Sequence, residues 1–434
     1  MAPQKIIIDT DPGVDDVMAM LLALSASPEE LEVVMLSVSY GNVPLQSCLR
    51  NVVAMFHVLE KEMAWRKATG RREGFETMKK CKPIVAIGPE HPLEEEDLKA
   101  DYFHGLDGLH GVHATYPHLS PADTWKSLFA KEQEAATNAD TNPRFFTPSK
   151  APAHQEILRI LRENSIDTVS ICVVGPMTNV ALAAAEDPDA FLRVKELVVM
   201  AGNVDVEGNV TPVAEFNCFA DAVAAARVYA LTSYTPASTM PPPSQRLPSL
   251  PPYPEKLPRQ LKLTLAPLDI TTPHLITESF FAERIQPYLD EGSPLATWTS
   301  HFMKGTFSHI RKLLGDGSEP GLSLHDPLTV WYMLTHDDPK WKLLSKLEDI
   351  RIETCGQWTR GMHVVDKRLR SRPAELAAMA SVDPREDPNV VSIDNVPGDE
   401  MGWQSVLKGN RVNRLIETPG EDIFKDVWMN RVFR

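Results

Sequence analysis

Lys5-Ile6-Ile7-Ile8-Asp9-Thr10-Asp11-Pro12-Gly13-Val14-Asp15-Asp16 carries an apolar strand into a tight turn and the turn into a helix. The isoleucines show no polar alternation, so the strand they form is buried on both faces, as in parallel sheets. Pro12 and Gly13 force the turn, and the helix opens at about Val14. Asp15 and Asp16 then fall in its first turn, where the helix dipole favours negative charge. The turn lies beyond the carboxyl end of a strand, where open α/β sheets place ligands. Four carboxylates within eight residues repel one another unless a cation joins them. Oxygen-only donors suit Ca2+ or Mg2+ and not zinc. The spacing is not that of an EF-hand, because Gly13 stands fifth from Asp9 and no glutamate stands twelfth.

Outward from this turn the chain repeats strand then helix. Strands are expected at Lys5–Asp9, Glu32–Ser39, Pro83–Ile87, Thr168–Val174, Glu196–Met200 and Lys262–Leu268. Helices are expected at Val14–Ser25, Leu45–Glu60, His154–Glu163, Asn179–Glu186 and Asp221–Ala230, with two runs in Ser279–Leu314 and another from Pro327. That alternation implies an α/β fold, an open and mostly parallel sheet flanked by helices on both sides, Rossmann-like in its core. Three segments interrupt the rhythm. Residues 61–82, rich in Lys and Arg, read as a solvated insertion; 117–150 is polar and mixed; 236–258 holds nine prolines and reads as a loop excursion. They fall between units of one pattern, so a single domain over 1–434 is expected, with an extension after about residue 373.

The 434 residues carry 44 basic and 59 acidic side chains, a formal net charge of −15, which argues against a nucleic-acid partner but not against a small nucleic-acid building block. No apolar stretch reaches the length of a membrane span, and the start lacks a signal-peptide core. The five cysteines are scattered and without CxxC spacing, so a reducing, cytoplasmic compartment is expected.

Other motifs follow in order. Tyr40-Gly41-Asn42 ends the second strand, and Asn42 either binds a ligand hydroxyl or simply closes the strand in a turn. Phe103-His104-Gly105-Leu106-Asp107-Gly108-Leu109-His110-Gly111 is a glycine-rich loop with two histidines, a surface loop or part of a site. Val173-Val174-Gly175-Pro176-Met177-Thr178-Asn179 closes a strand at a bend whose carbonyls could reach a cation. In Asn209 to Asn217, an extended backbone would put Glu215 and Asn217 on one side, suited to sugar hydroxyls, and Phe216 on the other. Asp221 reads as a structural N-cap. In His325-Asp326-Pro327, Pro327 suits the first helical position and Asp326 the N-cap, leaving His325 as a proton donor that titrates near neutrality. Asp9-Thr10-Asp11 alone also suits a phosphohydrolase that forms an aspartyl-phosphate on Asp9.

Together these motifs, in this order, resemble the nucleoside hydrolase family, the inosine–uridine-preferring nucleoside N-ribohydrolases, from about Lys5 to beyond Arg360-Gly361-Met362. The resemblance implies one Ca2+ held by Asp11, Asp16, Asp326 and the main-chain carbonyl of Val174, where relatives usually carry threonine. It implies that Asp15 and Asn42 meet the 2′ and 3′ hydroxyls of ribose. Asn209, Glu215 and Asn217 would grip the rest of the sugar, with Met200 and Phe216 alongside and His104 close by. Asp9 would support the cluster from behind. The implied reaction is hydrolysis of the N-glycosidic bond by a metal-oriented water, with Asp11 as base and His325 as acid to the departing base. The implied partner is a small-molecule ribonucleoside, and the family suggests a homodimer or homotetramer. A non-catalytic nucleoside- or ribose-binding protein on the same fold is the remaining alternative.

Overall fold

The computed structural model describes residues 3–94, 103–130, 143–242, 250–315, 317–368 and 398–434. Its strands are β1 (Gln4–Thr10), β2 (Leu31–Val38), β3 (Ile84–Ile87), β4 (Thr147–Pro148), β5 (Val169–Val173), β6 (Leu197–Met200), β7 (Leu263–Ala266), β8 (Leu275–Thr277), β9 (Gly321–Ser323), β10 (Lys342–Leu343), β11 (Ile350–Ile352), β12 (His363–Val365) and β13 (Asn413–Glu417). Nine of them form one sheet in the order β10-β13-β7-β6-β5-β1-β2-β3-β4, parallel except for β10 against β13. β8 with β9 and β11 with β12 make two small antiparallel pairs.

The isoleucine run shows why the sheet is sandwiched. Ile6 and Ile8 face one apolar core and Ile7 the other, and all are fully buried. Val198 and Met200 of β6 share the first core, and Leu197 and Val199 the second. Helices Val14–Leu24, Leu45–Ala68, Pro294–Leu314 and His325–Thr335 cover the first face. Helices Ala153–Glu163, Thr178–Glu186 and Ala222–Ala230 cover the second. A strand coated by apolar side chains on both sides has no reason to alternate, which is what the sequence displays.

The connections place the site. From β1 the chain moves outward through β2, β3 and β4, then returns to β5 on the other side of β1 and moves outward through β6 and β7. The order therefore reverses between β1 and β5, and the crevice beyond their carboxyl ends is the topological switch point of an open α/β sheet.

Two expectations change. Residues 61–82 are solvated only in part, with 67–72 exposed. The helix Leu45–Ala68 runs into them, and a second helix, Glu76–Cys81, brings Thr77 and Met78 into the interior. Glu62 and Arg66, one turn apart, are both buried and paired at 2.7 Å, with Ser293 Oγ donating to the other Glu62 oxygen and Arg66 donating to Val432 O. This one pair of charges is joined, not solvated. The segment after about residue 373 also returns to the core: β13 lies beside β7, and the C-terminal helix Glu421–Phe433 hands the Trp428 indole N–H to Met18 O at 2.9 Å. In 236–258, residues 236–242 and 250–258 form no strand or α-helix, while Tyr253 and Leu257 are buried. Residues 131–142, 243–249 and 374–397 of the expected insertions and extension lie outside the described residues.

Candidate active site

The acidic turn sits at the switch point as one hydrogen-bonded unit. Asp16, in the first turn of helix Val14–Leu24, is its hub. Its Oδ1 accepts from Thr10 Oγ1 (2.6 Å) and the Asp11 amide (3.2 Å), and its Oδ2 from the Gly13 amide (3.0 Å) and Asn42 Nδ2 (2.9 Å). Asp11 Oδ2 accepts from the Asn42 amide at 2.7 Å, while Asp11 Oδ1 is buried with no hydrogen-bond partner. Gly41 must be glycine, because a Cβ there would overlap the Asp11 carboxylate. Behind them, Asp9 Oδ1 accepts from Asn179 Nδ2 at 2.8 Å.

A fifth carboxylate arrives from far along the chain. Helix His325–Thr335 packs against Val14–Leu24 and delivers Asp326, so that one oxygen each of Asp15, Asp16 and Asp326 lie within 4.8 Å of one another. Asp326 is not the N-cap: the helix begins at His325, two residues before the expected Pro327, with Leu324 as its cap. A first-turn aspartate leaves its carboxylate free to turn to the cluster, whereas a cap would spend it on its own helix.

Burial, then mutual repulsion, disfavours the charged forms. Burial and the Asp16 charge push Asp11 well above the carboxylate range, and burial with Asp15, Asp16 and Asp11 does the same to Asp326. Burial takes Asp15 up to about 6 and Asp9 up to about 7. Buried like charges with unpartnered oxygens on Asp9, Asp11 and Asp15 are the electrostatic complement of a cation.

The rim comes from the ends of β5 and β6 and the segments after them. Val174 O accepts from Asn217 Nδ2 at 2.9 Å, and the same amide lies 3.2 Å from Met200 O. The extended geometry expected for Glu215 and Asn217 is not found. Glu215 caps the short helix Phe216–Ala220, accepting from the Asn217 and Cys218 amides, because a helix start needs acceptors for its first N–H groups. Its Oε2 also accepts from the Gly202 amide at 2.7 Å. Asn209 is exposed, and its Oδ1 accepts from the Phe216 amide at 2.9 Å. Asp221 caps helix Ala222–Ala230, as its position suggested.

Two histidines flank the carboxylates. His104 Nδ1 accepts from the Val14 amide at 3.1 Å, and its Nε2 lies 4.0 Å from Asp15 Oδ1. His325 Nδ1 pairs with Thr271 Oγ1 at 2.7 Å. It does not titrate near neutrality: burial, then His104 and His274, push it down to about 4.

The family model for inosine-uridine preferring nucleoside hydrolases matches residues 6–393. The chain belongs to that family. A pyrimidine-specific ribonucleoside hydrolase, RihA, of Salmonella paratyphi C is 30% identical over 362 residues, covering 83% of this chain and 88% of that protein. An uncharacterised protein of Schizosaccharomyces pombe is 30% identical over 384 residues, 88% of this chain and 96% of that one. Among solved structures, an inosine-guanosine nucleoside hydrolase superposes with a TM-score of 0.64 at 18% identity, covering 100% of this chain and 99% of that one. A purine-preferring ribonucleoside hydrolase from Gardnerella vaginalis gives 0.62 at 18% identity, over 99% and 98%. This nucleoside hydrolase is thus an enzyme acting on N-glycosyl compounds, with ribonucleosides as its small-molecule substrates. The phosphohydrolase and non-catalytic readings give way; Asp9, which the former needs as an accessible nucleophile, is fully buried behind the turn. Among the described residues no helix is long and apolar enough to cross a membrane.

Sequence reasoning passed over several residues that hold this site together. Asn179 was quoted only as part of a bend, yet it anchors Asp9. Thr271, in no motif, fixes the His325 ring. Asn51, fully buried, donates to Pro12 O (2.8 Å) and Asp107 O (2.9 Å) and so ties the acidic turn to the histidine loop. Its one signal is an amide on an apolar helix face beside Cys48, Val52 and Met55.

Proposed function

We propose that this chain is a Ca2+-dependent ribonucleoside hydrolase in which Asp11 is the general base. The observation that supports it is the asymmetry of Asp11: one oxygen is pinned by the Asn42 amide, and the other is buried, unpartnered and beside the remaining carboxylates. Asp11, Asp16, Asp326 and the carbonyl of Val174 would hold the ion; a set of hard oxygens that includes a main-chain carbonyl suits Ca2+. When bound, the ion supplies orientation for a water and two ribose hydroxyls and eases the water's deprotonation.

Asp11 Oδ1 takes the proton of the attacking water. As the base leaves, positive charge develops on the ribose ring, and the surrounding carboxylates stabilise it. Water attacks directly, with no covalent intermediate, so inversion at the anomeric carbon is expected. Asp15 and the Oδ1 of Asn42 accept from the ribose hydroxyls, since the Asn42 N–H groups already serve the Asp11 and Asp16 carboxylates and the Asp11 carbonyl. Glu215, Asn217 and Asn209 hold the rest of the sugar, flanked by Met200 and Phe216. His325, neutral and fixed by Thr271, donates an N–H to the leaving base. His104 stands against Asp15 and shapes the approach to the sugar.

The test is direct. The protein is stripped with chelator, reloaded with Ca2+ and incubated with purine and pyrimidine ribonucleosides while reducing sugar is measured. Release that depends on Ca2+ is expected. No release from any nucleoside, with Ca2+ binding verified by calorimetry, overturns the reading.

A further inference from the structure

Glu215 Oε2 is held by two backbone amides, those of Gly202 (2.7 Å) and Cys218 (3.1 Å). Both residues touch one side chain, the imidazole of His363 at the start of β12. Gly202 has φ +69, and a Cβ there would overlap the His363 ring, so the ring lies directly against the backbone that carries the amide. His363 Nε2 is 3.7 Å from Cys218 Sγ and 3.0 Å from Tyr229 Oη. The ring stacks on that of Tyr229, centroids 5.5 Å apart and planes 29° apart. Tyr229 is fully buried in helix Ala222–Ala230, where its hydroxyl requires a partner, and the imidazole supplies one. Phenylalanine would fill the space but leave that hydroxyl unpaired. The ring is thus fixed by Tyr229 and packs against Gly202 and the Cys218 Sγ, the two residues whose amides hold Glu215 Oε2.

We propose that His363 is a positioning residue for nucleoside hydrolysis. It buttresses the Gly202 and Cys218 amides and thereby sets how firmly Glu215 grips the 5′-hydroxyl end of the ribose. The inference rests on the assignment of Glu215 to the part of the sugar away from the 2′ and 3′ hydroxyls. His363 acts through packed backbone, never touches substrate, and belongs to a hairpin (β11 and β12) remote in sequence from every other site segment.

The experiment compares kcat/KM for a ribonucleoside and its 5′-deoxy counterpart in the Ca2+-loaded wild type, Glu215→Ala, His363→Ala and His363→Phe. A hydrogen bond to a buried carboxylate makes the wild type favour the 5′-hydroxyl by about tenfold or more. Glu215→Ala brings the two substrates to within about twofold. His363→Ala should do nearly the same, mostly through KM for the hydroxylated substrate, and His363→Phe, which keeps a ring on Gly202, should recover most of the preference. If His363→Ala does not fold, His363→Leu takes its place. A histidine that only stabilises the fold lowers the melting temperature and leaves the ratio at the wild-type value; that result overturns the inference. An active Glu215→Ala enzyme that keeps the ratio also overturns it, while the functional reading stands. A wild type that cleaves no nucleoside removes both.

Discussion

Replacing Asp326 by Asn should stabilise the metal-stripped protein and destabilise the Ca2+-loaded one relative to wild type. The change keeps shape and removes one charge from a buried group in which the oxygens of Asp15, Asp16 and Asp326 lie within 4.8 Å. At an effective dielectric near 20, two unit charges at that distance repel by about 3.5 kcal/mol. Asp326 faces two such neighbours, but protonation relieves part of the strain: Asp15, held at about 6, carries a proton near pH 5. A net gain of about 2–3 kcal/mol for the stripped variant at pH 8 is therefore expected. The sign with pH follows from the raised pKa values. A carboxylate with its folded pKa above its unfolded pKa imposes no penalty below about pH 4, and the penalty grows until the folded pKa is passed. The advantage of the variant should thus vanish near pH 4 and grow as the pH rises through the raised folded values. Saturating Ca2+ adds RT ln(1 + [Ca2+]/Kd) to the wild type and little to the variant, so the order of stability inverts. Urea unfolding followed by tryptophan fluorescence, with chelator or with millimolar Ca2+, reads all of this. A stripped variant less stable than wild type at pH 8, or an advantage indifferent to pH, refutes the argument that these carboxylates repel.

Asp11→Asn should lower kcat by about 10²–10⁴ with folding intact, checked by single-turnover kinetics and circular dichroism. His325→Ala should cost most for nucleosides whose base must be protonated and little for a riboside with an activated leaving group; equal losses on both would place the ring outside leaving-group chemistry. Arg66→Ala leaves Glu62 charged and buried, a loss of about 3–5 kcal/mol, while Glu62→Gln with Arg66→Met should restore much of it, measured as unfolding midpoints. His113, buried between Asn51 and Ser120 and held down at about 4, is neutral when folded. Its contribution is present above the unfolded value near 6.5 and is lost as pH falls toward 4, on the order of 3 kcal/mol. His113→Gln should flatten the melting-temperature profile across that window.

What could be read from the sequence follows from range. Six of the nine strands of the sheet were legible because burial on both faces writes itself into local composition, and the acidic turn because its carboxylates are neighbours in the chain. The buried part of residues 61–82 was missed for a physical reason. Composition registers charge but not pairing, and Glu62, Arg66, Ser293 and the Val432 carbonyl satisfy one another across distances in sequence that no local window spans. The β13 strand was missed because residues 413–417, Asn-Arg-Leu-Ile-Glu, hold only two apolar side chains, at a sheet position bordered by the two-residue β10.

The same limit explains why some site residues were named with the wrong geometry. Glu215 and Asn217 were selected by type, and their true arrangement depends on partners contributed by β6 and the Val174 bend. An extended strand would have aimed both side chains outward at the sugar. The observed cap directs Glu215 into backbone amides first, so its remaining lone pairs are pre-aimed and the cost of ordering it is met before substrate arrives. A site built this way is sensitive to whatever fixes those amides. Substitutions at packed, unreactive positions behind Glu215 should therefore move substrate affinity more than substitutions at exposed Asn209, although only Asn209 belongs to a recognisable motif.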